Sequence, residues 1–156
     1  MAQARKEVYQ NLSAIPKTYG TGLDGHLGLG ISPGQYLIRD GQAFTVPIDP
    51  GPYDLTIPPN AGTNVNARRE AIHRDARQAY KIYLAVNSVI KNQLKHAMPR
   101  DAIREIENEI DGLNGLQIID ILDHCMDRLG QINGTLVNEN RVHANEPFDS
   151  NGGMAA

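Results

Sequence analysis

Gly20, Gly22 and Gly25 stand in the stretch YGTGLDGHLGLG with the G-x-G-x-x-G spacing that dinucleotide-binding proteins use to cradle a pyrophosphate. That chemistry needs a buried strand before the glycines and a helix N-terminus after them to hold the phosphate. Upstream, NLSAIPKT contains Pro16 and no run of β-branched residues. Downstream, Gly28, Gly30, Pro33 and Gly34 keep a helix from starting inside the motif. Asp40, twenty residues beyond Gly20, stands where a ribose-binding acid is expected, but on a predicted short helix rather than at a strand end. The glycines therefore read as a turn that needs positive-φ residues.

The other reactive side chains are dispersed. His26, His73, His96, His124 and His143 form neither an H-x3-H pair nor an H-E-x-x-H motif. The single Cys125 excludes an intrachain disulfide and a Cys-based zinc cluster. It falls on the apolar face of a predicted helix, where cysteine usually serves as a small buried hydrophobe. Asp101, Glu105, Glu107, Glu109 and Asp111 offer carboxylates with nothing to bury them, and read as a solvated face. The chain is expected to have no catalytic residues, no metal, no cofactor and no small-molecule ligand.

Charge is more informative. The net charge of −3 over 156 residues conceals a polarity. Residues 1–65 are nearly neutral. Residues 66–100 carry Arg68, Arg69, Arg74, Arg77, Lys81, Lys91, Lys95 and Arg100 against two acids, a block of +6. Residues 101–156 carry three bases against eleven acids, a block of −8. The basic block could contact phosphates, which requires only clustered Lys and Arg. It could meet the acidic half of another copy, a head-to-tail contact that builds rings, shells or filaments. Or the acidic helices could lie beside the basic one and neutralise it within the chain.

The elements that must position these groups fall into two regions. Residues 1–65 hold seven of the nine prolines and nine of the fifteen glycines, so they form an arm that is not mainly helical. A short helix is expected around Ala4–Leu12, and HLGLGI forms an extended piece. Ser32 caps a short helix that starts at Pro33 and ends at Gly41. AFTVPIDPGPYDLTIPP is extended or polyproline-like, with at most a small β-hairpin in the arm.

Residues 66–98 contain no Gly or Pro, and Ile72, Ala76, Ala79, Tyr83, Val86, Ile90, Leu94 and Ala97 fall within about 80° of a helical wheel. This predicts one long helix with a bend at Asn87–Ser88, presenting Arg74, Arg77, Lys81 and Lys95 on its far side. Three shorter helices follow: one through Ile103, Ile106 and Ile110, closed by Gly112; one over Leu116–Leu129, capped by Asn114, stopped by Gly130 and turning Ile118, Ile119, Leu122, Cys125, Met126 and Leu129 inward; and one over Thr135–Asn145. Asp120, Asp123 and Asp127 line the outer face of the second. The expected fold is mainly α: an arm over 1–65, a helical domain over 66–147 and a tail over 148–156. No apolar run approaches the roughly 20 residues that cross a bilayer, and no membrane partner is expected. A reducing, cytoplasmic setting is the default.

The order of several motifs adds to this. GHLGLGISPGQY (Gly25–Tyr36) precedes an F-x-x-P-x-x-P-G stretch (Phe44, Pro47, Pro50, Gly51) and a long Tyr-containing helix. LQIIDILDHCMDRLGQI and NENRVHANEPFD follow. This succession resembles the Gag-like N-terminal region of Copia-type LTR retrotransposons over about residues 20–150. His26, Leu27, Gly28, Leu29, Ser32 and Tyr36 match the first motif. Tyr83, Val89, Gln93 and Leu94 suit the long helix. Leu122, His124, Leu129, Gly130 and Ile132 match the next motif, and Asn140, Pro147 and Phe148 the last. Cys125 and Met126, "RLG" in place of "YG", and the stretch REIENEIDGLNG depart from the family pattern. The resemblance implies a non-enzymatic capsid-type protein that self-associates into particles packaging element RNA. One cysteine leaves no room for a zinc knuckle, and family members continue beyond EPFDSNGGMAA. Any RNA contact would use the basic helix face, because the −8 block repels it. The alternative is a helical interaction or adaptor domain with no retroelement role. In either case the Gly25–Leu29 glycines are expected to fold the arm back on the helices.

Overall fold

The computed structural model describes residues 2–17, 23–54, 56 and 62–145. Among these residues it is mainly helical, without a strand. The helices are α1 (Ala2–Ala14), α2 (Pro33–Asp40), α3 (Thr63–Ala97), α4 (Arg100–Arg104) and α5 (Ile118–Asn145), with a 3-10 turn at Leu27–Leu29 between α1 and α2. Gly20 and Gly22, Pro147 and Phe148 of the last motif, and the expected tail over 148–156 lie outside the described residues.

Heptad-like spacing builds the core. Val8 and Leu12 of α1, Val86, Ile90 and Leu94 of α3, and Ile118, Ile121, Leu122 and Cys125 of α5 bury one stripe from each helix. Met98, Ala102, Ile103 and Leu113 close the end where α3 hands over to α4. Burying each such large side chain contributes about 1.5–3 kcal/mol, so Leu94→Ala should cost about 2–5 kcal/mol through the void it leaves.

The α2 boundaries are as expected. Ser32 accepts the Gln35 N–H at 3.3 Å, and the Gln35 side chain accepts the Ser32 N–H at 3.3 Å, a reciprocal capping box with Pro33 in the first turn. Gly41 closes the helix in the left-handed region. The long helix starts three residues before the expected position and runs unbroken through Asn87–Ser88 over 35 residues, about 50 Å at 1.5 Å per residue. Its stripe is buried only from Ala79 to Leu94; Ile72 and Ala97 are exposed.

Four expectations are corrected. HLGLGI is not extended, because Leu29 and Gly30 N–H groups bond the His26 and Leu27 carbonyls and wind a 3-10 turn. The helix through Ile110 ends at Arg104. There the Asn108 side chain accepts the Ile110 and Asp111 N–H groups, a local turn that competes with helix. Ile110 therefore points outward rather than into the core. Asn114 does not begin α5, which starts at Ile118. Gly130 does not stop α5: the two predicted C-terminal helices are one, because propagation adds a hydrogen bond per residue and outweighs about 1 kcal/mol of glycine cost.

Candidate functional site

The motif turn is a lock within the arm, holding the 3-10 turn and α2 against the end of α1. The His26 N–H donates to the Leu12 carbonyl at 2.9 Å, taking up a free acceptor at the end of α1. Its ring is fully buried, with Nδ1 2.9 Å from the Ile15 carbonyl. A carbonyl only accepts, so Nδ1 carries the hydrogen. Gly25 has φ +49°, and a Cβ there would collide with the Ile15, Ser13 and Leu12 carbonyls. At Gly28 a Cβ would overlap the Phe44 ring. Leu27 is buried and Leu29 packs on the core.

Phe44 leads to a second set of partners. Its ring meets Tyr36 edge-on at 5.2 Å. Lys17 Nζ donates to the Tyr36 hydroxyl at 2.8 Å and sits over both rings. Asp40, its side chain almost wholly enclosed, lies 3.9 Å from Lys17 and accepts the Leu23 and Asp24 N–H groups. Burial alone pushes the Asp40 carboxyl up. The Asp24 and Leu23 N–H groups, Lys17 and the Tyr36 hydroxyl outweigh it and hold the carboxyl below its usual range. Asp40 thus secures the turn as an acceptor of backbone donors.

The extended segment after Phe44 straps the N-terminal half of α3. His73 Nε2 is 3.0 Å from the Gly51 carbonyl, and Tyr53 packs edge-on against the His73 ring. Arg69 donates to the Thr56 carbonyl at 3.0 Å and lies 3.7 Å from Asp54. The Thr56 hydroxyl and N–H, with Arg69 behind them, hold the Asp54 carboxyl below its usual range.

The charged faces separate into paired and unpaired members. Lys95 is joined to Glu107, and Lys91, almost fully buried, donates to the Asn114 carbonyl at 2.8 Å. Burial pushes the Lys91 pKa down. The 105–116 segment thereby covers the C-terminal part of the basic face. Further up the helix, among the described residues, Arg74 pairs only with its neighbour Asp75 at 3.9 Å, with both side chains mostly exposed. Such a pair contributes little. Arg77 and Lys81 are exposed and form no ion pair among the described residues. On α5, Asp120, Asp123 and Asp127 are exposed. Asp123 accepts from Arg5 of α1 at 3.2 Å, not from α3. His124 and Arg128 approach Glu105 at 3.4 and 2.8 Å and tie α5 to the end of α4.

The sequence motifs did not point to Lys17, Phe44 and Asp40 as parts of the lock, nor to Lys91 and Asn114. Each acts through a partner brought near by a loop. The Cys125 thiol is buried, which raises its pKa and keeps it a packing group. Among the described residues no cluster of three or more His, Cys, Asp or Glu side chains could hold a metal ion, and no helix is long and apolar enough to cross a membrane. Comparison with protein-family models, curated proteins and solved structures finds no match for this chain.

Proposed function

We propose that this chain is a non-enzymatic capsid-type assembly protein of the Gag-like kind, associating head to tail through opposite charges in the cytoplasm. The observation that carries this reading is the incomplete neutralisation of its charge polarity. Among the described residues, Arg74, Arg77 and Lys81 on α3 are exposed without a carboxylate from another element, while Asp120 and Asp127 stand exposed on α5. Among the described residues, only Lys95 of that basic face receives an acid from the C-terminal block. Complementary patches that are not joined within a copy are available between copies. Because they are different surfaces, each copy joined leaves another pair open. The motif order from Gly25 to the C-terminal helix supports the same class.

Light scattering and negative-stain microscopy across protein concentration test the reading. Large assemblies are expected at low salt, and a strictly monomeric, salt-insensitive chain would overturn it. Arg74→Glu with Arg77→Glu should abolish the assemblies; unchanged particles would remove the charge mechanism. RNA is the competing occupant of the same face. Filter retention would then show affinity falling with salt at a slope of about −2 on logarithmic axes for three cations.

A further inference from the structure

The segment after α4 forms a fixed, projecting turn. Asn108 N–H and carbonyl pair with the Gly112 carbonyl and N–H, both at 2.9 Å. The Asn108 side chain accepts from Ile110 N–H at 2.8 Å and Asp111 N–H at 3.2 Å, and Gly112 turns the chain at φ +59°. Its tip is Ile110, 91% exposed. Glu109 and Asp111 flank it, exposed and without an ion pair among the described residues. A lone exposed isoleucine is ordinary. One held rigidly between two unpaired carboxylates is a preformed apolar knob with an acidic collar.

A receptor of matching chemistry lies elsewhere on the molecule. Between α1 and the 3-10 turn with α2 runs a groove of about 930 Å³, within the roughly 300–1,000 Å³ of built binding clefts. Tyr9, Leu27 and Ile31 give it an apolar floor, and Arg5, Lys6 and Arg39 a basic rim. Arg5 and Arg39 hold Asp123 and Asp24, whereas Lys6 has no ion pair among the described residues.

We propose that the Ile110 turn of one copy docks into the α1–α2 groove of a second copy, Ile110 on the apolar floor and Glu109 and Asp111 against the basic rim. The groove of the same copy is out of reach. Asn11 ties α1 to α3 at Gln93, while Glu107 ties the turn to α3 at Lys95. Gln93 and Lys95 are two positions apart, about 200° around the helix, so knob and groove lie on different sides of α3. The contact is heterologous and propagates. This inference rests on the assembly reading, and adds to the charged faces a specific apolar contact that sets the register.

The buried Cys125 permits a direct test on the full chain. Ile110→Cys and Lys6→Cys chains, mixed with diamide as oxidant, should give disulfide-linked pairs at least about tenfold faster than Ser88→Cys mixed with Lys6→Cys. Equal rates would overturn the docking. Ile110→Asp, at a fully solvated tip, should fold normally and weaken association at least about tenfold, the loss of one interface hot spot. If Ile110→Asp assembles like the parent, the docking is wrong and the charge-driven reading stands. A parent chain that stays monomeric at every concentration sinks both.

Discussion

Gly28 and Phe44 show at the scale of single residues why the motif turn has the composition it has. The glycine is required by the ring pressed on it, not by a phosphate. Gly28→Ala should therefore cost about 1–3 kcal/mol as overpacking, measured as a lowered urea midpoint. Asp40 makes a pH prediction of definite sign. Its folded pKa lies below the unfolded value near 3.9. Its contribution is complete above that value and is lost as pH falls through the lower folded one. Asp40→Asn should lower stability at pH 7 and reduce the difference in urea midpoint between pH 7 and pH 3. The sequence marked His26, Leu27, Gly28 and Tyr36 as belonging together. It did not show that Lys17, Asp40 and Phe44 complete the set, because those contacts, Phe44 on Tyr36 apart, span 16 or more residues across irregular chain.

Elements were legible where a local signal was unopposed. The Ser32–Pro33 start and Gly41 stop of α2 needed only capping chemistry, and the gap free of Gly and Pro announced α3. Ends failed where two local preferences competed. Ile103, Ile106 and Ile110 have helical spacing, yet Asn108 offers its side chain to the backbone and the turn wins. At Gly130 the opposite holds: a residue that often ends helices is carried through the middle of α5. A Cβ at Gly130 would meet nothing within 4 Å. Gly130→Ala should then raise stability by about 0.5–1 kcal/mol, read as a higher melting temperature with unchanged helical signal. A drop instead would mean that the glycine marks a real interruption.

For the whole molecule, charge totals by block were visible in composition, but their pairing was not. The structure distributes the acids unevenly: Glu107 reaches α3, Asp123 reaches α1, Glu105 serves α5, and Arg74, Arg77 and Lys81 are left outward. An assembly built on those residues is governed by screening, with a Debye length near 10 Å at 0.1 M salt. Self-association through these faces can be read by sedimentation velocity over a concentration series at low and high salt. Fast-sedimenting assemblies are expected at low salt, shrinking as salt rises and absent in the Arg74→Glu, Arg77→Glu chain. A single slow species, identical at every concentration and salt, would contradict it.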